Sequence, residues 1–565
     1  MKKVYYYMIE HAYILIYVIV AIAVVFLNKV YYMHGADIMF HRARLLGLVQ
    51  SIKHGDILPK INFAMCNGHG YGVPMFYGQW WMYFPAVLML AGMRFTGAWI
   101  CTIVCVYTIF SVINHKIAIS FGNGKKMAVI ITLTFMYNPL VAQIICGDIP
   151  FAICIFMTPL LFWCFYRILY QDKRNPIWLA VIVAVLIQTH IVSTVMLAIM
   201  SGLFLLFHIR KLTKKIWICF VKSLGIAIGL SAGFVFPMLE QMTEQKLHGT
   251  ATGVSFRWHQ IPTLSEIIQN SFADKQASIA AYPQLSLVGI ILLIIGFAYY
   301  KQESEYEHRL IWLSIVLICM TSSIFPWYIF GNTLLGIVQF VGRYLVMAMA
   351  VLMLFYMCMK KKNSLFAVFL LCLTFSSLIV NCSSPDLDDE QSRYKFAQGI
   401  TKQEGYNYLC SLNNDITDII DGTKQIDEIS GGEYINALVD KGVLAQNASM
   451  NPYSDTVVIT DVKHSYNGVT FSYDGSGKID VPYLWYKGYQ VSYSDGVYGG
   501  ETFVDEAENG FVAIEVNGRG HAVIRYKWTP LQIVTLIITI VSTLGVIVYL
   551  IVIANRSRKQ LLLDK

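Results

Sequence analysis

The segment His34-Gly-Ala-Asp37-Ile-Met-Phe-His41-Arg42-Ala-Arg44 sets one acid, two histidines and two arginines directly behind an apolar run that ends near Tyr31. A carboxylate beside basic groups can take a proton from a hydroxyl, and guanidinium groups can cover an anion. On a helix Asp37, His41 and Arg44 fall at i, i+4 and i+7 and share one face, while Ile38, Leu45, Val49 and Ile52 form an apolar stripe on another. That pattern predicts a helix lying along a membrane surface. Ionisable groups so close to hydrocarbon cost on the order of several kcal/mol unless paired or used, which makes the segment a functional-site candidate; the alternative is a solvated loop with interfacial charges.

The elements that must position these groups follow from composition. The chain has 565 residues, 56% of them hydrophobic and 14% charged, with a mean hydropathy of +0.54. Such a chain reads as a polytopic α-helical membrane protein. Its net charge of +8 does not imply nucleic acid, because the basic residues occur in short clusters between apolar runs. These are Lys2-Lys3, Lys125-Lys126, Lys173-Arg174, Arg210 to Lys215, Lys360 to Lys362 and Arg556 to Lys559, the pattern of cytoplasmic loops.

With those clusters held inside, the apolar runs thread a bilayer as about twelve spans. The first, about 11–31, lacks a cleavage site and is expected to remain as an anchor with the N-terminus cytoplasmic. A first external loop, 34–96, is expected to carry interfacial helices. Further runs lie near 97–120, 127–140 and 149–168, then one ending near His190 and one ending at the Arg210 to Lys215 cluster, and then near 216–238, 284–300, 308–325, 341–359 and 364–381. Residues 1–381 thus form a transmembrane domain, and 382–528 an extracytoplasmic region large enough for its own core. Its second half alternates apolar and polar residues, as in Thr456-Val-Val-Ile-Thr460, Val469-Thr-Phe-Ser-Tyr473 and Ala522-Val-Ile-Arg-Tyr526, and predicts an antiparallel β-rich domain. Residues 529–565 supply a last span and a basic cytoplasmic tail. No internal repeat is visible.

In this threading further polar residues gather at external span ends: Asp148, His190, Glu240 and Arg343. Cys146-Gly-Asp148-Ile-Pro150 places a carboxylate between two apolar runs. His190 reads equally as an interhelical hydrogen-bonding residue, and Glu240 as the water-facing end of its span. The external loop adds Tyr71-Gly-Val-Pro-Met-Phe-Tyr77 and Trp80-Trp81, either an interfacial belt or a platform for a sugar or an isoprenoid chain. Arg343 suits a lipid-linked phosphate. Of the 12 cysteines, Cys101, Cys105, Cys154, Cys164, Cys219, Cys319, Cys358 and Cys372 sit in apolar runs as small hydrophobes, and no metal-ligand spacing occurs. Cys382 and Cys410 both fall outside and could pair.

An early acid after the first span, a Gly-Tyr-Gly-x-Pro-x-Phe-Tyr run and a second acid in the next external loop resemble the GT-C superfamily of membrane glycosyltransferases. The segments His34 to Arg44, Tyr71 to Pro85, Tyr137 to Pro159, Gln339 to Arg343 and Tyr486 to Tyr526 are similar to the YfhO-like bacterial membrane proteins. The resemblance implies inverting transfer of a sugar from a polyprenyl phosphate to a cell-envelope acceptor on the outer face of the cytoplasmic membrane. The acceptor would be teichoic acid, polysaccharide or protein. It makes Asp37 the general base and Asp148 the residue that positions the acceptor or, in some relatives, a metal. His41, Arg42, Arg44, Tyr71, Tyr77, His190, Glu240 and Arg343 then line the substrate site. The chain departs from the YfhO-like pattern in having Asp148 where Glu is expected, Gln143 to Cys146 where an arginine is expected, and Val341-Gly342 where Pro-Trp precedes the arginine. No motif demands a cofactor, and the two acids leave a divalent metal open. No Walker-type loop or Rossmann fingerprint occurs. A lipid or glycan transporter or flippase, and a non-catalytic envelope assembly protein, are the competing readings.

Overall fold

The computed structural model describes residues 11–27, 37–249, 261–272, 283–338, 340–383, 411–427, 432–444, 450–493, 500–504 and 507–563. His34, Gln339, Cys410, the side chain of Cys382 and the acidic stretch Pro385 to Glu390 lie outside what is described, as therefore does the pairing of the two cysteines.

The apolar runs fold as helices. In chain order the principal ones are α1 (Ala12–Leu27), α2 (Ile38–Lys53), α3 (Phe95–Ser120), α4 (Lys125–Met136), α5 (Pro139–Gly147), α6 (Ile149–Tyr170), α7 (Pro176–Thr189) and α8 (Ile191–Phe207). They continue with α9 (Lys214–Glu244), α10 (Ser286–Ala298), α11 (Glu305–Thr321), α12 (Gly342–Cys358), α13 (Ser364–Ser383) and α14 (Pro530–Leu563). Among the described residues four helices are long and apolar enough to cross a membrane: α3, α6, α9 and the Pro530–Arg556 part of α14. A fifth span results if α4 and α5, bent by 57° at Tyr137-Asn138, count together. Most of the remaining apolar runs form shorter helices of 10–17 residues, below the ~20 residues that a bilayer-spanning helix needs; α13 has 20 residues. The bends occur where the chain supplies new helix starts: Asn138 Oδ1 accepts from Leu140 N–H at 3.1 Å, and Pro139 follows it as a first-turn proline.

The antiparallel sheet expected in the second half of 382–528 is present. Strands β1 (Val458–Ser465), β2 (Gly468–Leu484), β3 (Tyr489–Tyr493), β4 (Gly500–Phe503) and β5 (Phe511–Tyr526) are ordered β1-β2-β5-β3-β4. The long β2–β5 ladder pairs Gly468 with Arg525 and Val481 with Val512. Its alternating side chains bury Val469, Phe471, Tyr473, Ala522 and Ile524, as a sheet with one packed face requires.

The sheet shares one continuous hydrophobic core with the helices, from Tyr17 in α1 to Tyr526 in β5. Main-chain hydrogen bonds stitch the two parts together: Asn67 N–H to Ile426 O and Ile426 N–H to Ala64 O at 2.8 Å each, and Leu484 N–H to His69 O at 2.8 Å. Gln241 at the end of α9 exchanges hydrogen bonds of 2.9 Å with the backbone of Lys487. The described residues of 411–528 are therefore packed into the helical body instead of standing on a core of their own.

The same packing changes the character of α2. A surface-lying helix would keep its polar face wet, yet α2 buries Ile38 and every residue from His41 to Ser51. Residues 411–420 close over it: Arg42 Nε donates to Leu412 O at 2.7 Å, Arg42 Nη2 to Asn414 O at 2.6 Å and Gln50 Nε2 to Ile419 O at 3.1 Å. Arg42 and Gln50, which hydropathy assigns to water, are met there by backbone carbonyls 369–372 residues away in the chain.

Candidate active site

Asp37 opens α2 as its N-cap residue, exposed and with no side-chain cap hydrogen bond. One turn on, the buried His41 and Arg44 form the floor of the cluster. Arg44 is tied on three sides: Nη1 lies 3.2 Å from His41 Nδ1, and Nη2 donates to Tyr77 O at 2.8 Å and Gly78 O at 3.0 Å. Its guanidinium also lies 4.2 Å from the Tyr77 ring centroid and 5.4 Å from that of Phe40, a cation–π arrangement. Burial lowers the Arg44 pKa to about 10, opposed by Tyr77, Tyr434, Asp148 and Tyr71, so the group stays charged at neutral pH.

Asp148 sits in the one-residue joint between α5 and α6. Asp-x-Pro is a helix start, and Asp148 Oδ1 accepts from Phe151 N–H at 3.0 Å as the N-cap of α6. Capping is thus part of its role, and its position relative to α2 adds another. The same Oδ1 lies 3.9 Å from His41 Nε2, with the Asp148 side chain 13% exposed and that of His41 1%. Burial first, and then the negative charge of Asp37, push the Asp148 carboxyl well above the ordinary carboxylate range, against the opposing pull of the Phe151 N–H, Arg343 and Arg44.

His190 lies in the break between α7 and α8. Its Nδ1 accepts from Ser193 N–H at 3.1 Å and pairs with Ser193 Oγ at 2.7 Å, an N-cap performed by a histidine. Its ring meets Tyr77 edge-on at 5.3 Å and Phe151 at 5.9 Å. Arg343, at the start of α12, donates from Nη1 to Val338 O at 2.8 Å and lies 5.5 Å from the Phe151 ring centroid. Its charge acts on Asp37, Asp148 and His190 alike.

Asp37, His41, Arg44, Tyr77, Asp148, His190 and Arg343 therefore form one group drawn from five separated stretches of chain. The approach is close enough to dictate a glycine: a Cβ on Gly78 would stand 1.5 Å from Gln188 O. Of three further expected site residues, two bond elsewhere and Tyr71 stands behind the cluster, against Tyr434. Arg42 binds the Leu412 and Asn414 carbonyls. Glu240 accepts from Thr529 Oγ1 at 2.9 Å and Gln532 Nε2 at 3.2 Å, joining α9 to α14. Tyr71 is fully buried, pairing its backbone with Asn62 and accepting at its hydroxyl from Tyr434 N–H at 3.4 Å.

Trp81, from the aromatic run of the first external loop, and Trp99 wall the His41 ring at 5.6 and 6.1 Å. Trp99, Phe151 and Tyr434 carry no mark in the sequence. Phe151 lies between His190 and Arg343. Tyr434 reaches in from the polar region, stacked on Phe76 at 5.0 Å and 4°, and interacts with Arg44 and Tyr77. Aromatic residues are too common in apolar chains for their type alone to mark a site. The donor set does not fit a divalent cation: among the described residues no three His, Cys, Asp or Glu gather in metal-binding geometry, and arginines flank both acids.

Comparison with known proteins gives a likeness to a protein of Lactococcus lactis subsp. cremoris (strain MG1363) named "Uncharacterized protein". The two are 25% identical over 315 residues, 52% of this chain and 50% of that protein. The chain thus spans half the length of the curated relative it matches. No family model matches, and no solved structure matches.

Proposed function

We propose that the chain is a membrane glycosyltransferase that moves a sugar from a polyprenyl-phosphate donor to a hydroxyl of a cell-envelope acceptor at the outer membrane face. The observation that carries this reading is the meeting of two carboxylates, Asp37 and Asp148, with two guanidinium groups, Arg44 and Arg343, in one cluster whose inner members Arg44, Arg343 and Asp148 are largely buried and whose rim is the exposed Asp37. A base to accept a proton and fixed positive charge near a departing phosphate are what such a transfer needs.

In this reading Asp37, exposed at the mouth of the cluster, takes the proton of the acceptor hydroxyl. The oxygen forms a bond to the anomeric carbon as that carbon's bond to the phosphate oxygen breaks, and polyprenyl phosphate leaves with the electron pair. Arg343 offsets the charge of the leaving phosphate. Arg44, bound to two carbonyls and His41, contributes its field more than direct contacts. Asp148 orients the acceptor. The basic clusters between apolar runs support about twelve spans with both termini cytoplasmic, the shorter helices crossing in end-to-end pairs or where the bilayer thins around them. The acceptor class, teichoic acid, polysaccharide or protein, is the part of the reading that the glycan comparison decides.

The test is mass spectrometry of envelope glycans from cells carrying the wild-type gene, no gene, Asp37→Asn or Asp148→Asn. Loss of one glycan species in the null strain and in Asp37→Asn, with the variant protein still present in the membrane, is expected. Identical glycan profiles in all four strains would sink the proposal.

A further inference from the structure

His41 combines a satisfied nitrogen with an orphaned one. Its Nδ1 lies 3.2 Å from Nη1 of Arg44, and its Nε2, in a side chain 1% exposed, has no hydrogen-bond partner among the described residues. Guanidinium nitrogens donate and never accept. Nδ1 must therefore hold the lone pair, which puts the proton on Nε2, a tautomer assigned from its partner. Burial, the Arg44 charge and His190 all hold the imidazole well below the ordinary histidine range, so it is neutral.

The Nε2–H stands 3.9 Å from Asp148 Oδ1, too far for a hydrogen bond between the two. One oxygen atom set beside the gap can reach both. With Asp148 ionised, the form in which transfer is expected to run, that atom would accept from the imidazole and donate to the carboxylate, and a hydroxyl can do both where an unprotonated phosphate or carbonyl oxygen cannot. The ring is held against Trp81 at 5.6 Å, Tyr77 at 5.8 Å and Trp99 at 6.1 Å. These contacts fix the direction in which the Nε2–H points.

We propose that His41 is a positioning residue whose Nε2–H, paired with Asp148 Oδ1, holds one hydroxyl of the acceptor while Asp37 remains free to deprotonate the reacting one. The inference rests on the transferase reading and adds to it the recognition of a polyhydroxylated acceptor by a donor–acceptor pair. It also gives the buried Nε2 a partner that the described residues do not supply.

Two substitutions separate the ring nitrogens, because a glutamine amide reaches the place of Nε2 and an asparagine amide that of Nδ1. Envelope glycans are compared by mass spectrometry in cells carrying wild type, His41→Gln, His41→Asn or Asp148→Asn at matched membrane levels. His41→Asn and Asp148→Asn are expected to lower the transferred sugar by about tenfold or more, the scale of one lost hydrogen bond to a charged network, and His41→Gln to stay within about threefold of wild type. Activity kept by His41→Asn and lost by His41→Gln would overturn the proposal, because His41 would then act only as an acceptor for Arg44; equal loss in both would overturn it too. A profile unchanged in Asp148→Asn and in the null strain would instead remove the transferase reading and this inference with it. Nitrogen-15 histidine spectra of the wild-type full chain in nanodiscs give a second readout that needs no variant to fold. A neutral His41 with its proton on Nε2, shifted by Asp148→Asn, is expected, and a proton on Nδ1 would overturn the assignment.

Discussion

Arg44 and Tyr77 are bound twice over: the guanidinium lies 4.2 Å from the tyrosine ring centroid and donates through Nη2 to the carbonyl oxygen of the same residue at 2.8 Å. A helix and a loop 33 residues apart in sequence are thereby fixed to each other at the centre of the cluster.

Arg44→Lys tests that connection. A lysine keeps the charge but cannot serve Tyr77 O, Gly78 O and His41 together. Loss of about 2–3 kcal/mol is expected, from at least one buried carbonyl left without a donor. Thermal unfolding of purified protein in nanodiscs measures it, and an unchanged midpoint would contradict the assignment.

Asp148 should give the cluster a pH signature. Its folded-state pKa is raised from 3.8 to about 7, so between those values the folded chain binds more protons at this site than the unfolded chain does. The contribution to stability is full at the acid end of that window and is lost as pH rises through it. Transfer should run the opposite way, rising toward about pH 7 as the carboxylate forms. Asp148→Asn should flatten the stability profile; a wild-type midpoint that climbs across the window would refute the buried-carboxyl account.

Asp37→Asn should leave stability within about 0.5 kcal/mol, since the residue is exposed and makes no capping hydrogen bond. Under the transferase reading it should reduce transfer by roughly 10²–10⁴-fold, the range for losing a general base. Comparing sugar incorporation with membrane abundance separates the two effects.

Gly78→Ala should be severely destabilising, because the added carbon would stand 1.5 Å from Gln188 O, and overpacking against backbone costs about 1–3 kcal/mol or more. Gly202→Ala, inside α8 where nothing lies within 4 Å, is the control and should be neutral or slightly stabilising. Accumulation of each variant in membranes, followed by its unfolding midpoint, distinguishes them.

Glu240→Ala and Arg42→Ala should both weaken the protein, by about 1–3 kcal/mol each, by leaving buried partners unsatisfied. Per folded molecule, neither should alter the pH profile of transfer. A changed profile in Glu240→Ala would return that residue to the site.

Residue type and spacing carried much of this protein. Hydropathy marked where the helices run, because burying apolar side chains in a bilayer or a core needs continuous apolar stretches. Period-two alternation marked β1, β2 and β5, and Asp-Ile-Pro marked the start of α6. Asp37, His41, Arg44, Asp148, His190 and Arg343 were legible as ionisable groups because such residues are scarce in so apolar a chain, and Tyr77 only as one ring of an aromatic run.

Tertiary structure alone decided which of them meet and which of their atoms remain free. Arg42 and Arg44 are neighbours of the same chemistry, yet one binds carbonyls of residues 412 and 414 and the other binds Tyr77, Gly78 and His41. Nothing local distinguishes them, since their partners come from other parts of the chain. The burial of α2 on its polar face, the entry of Tyr434 into the cluster and the removal of Glu240 to the α9–α14 contact have the same cause. A hydropathy pattern records how well a residue would tolerate leaving water, whereas the hydrogen-bond partner that makes burial of a polar group tolerable is fixed only when distant segments pack.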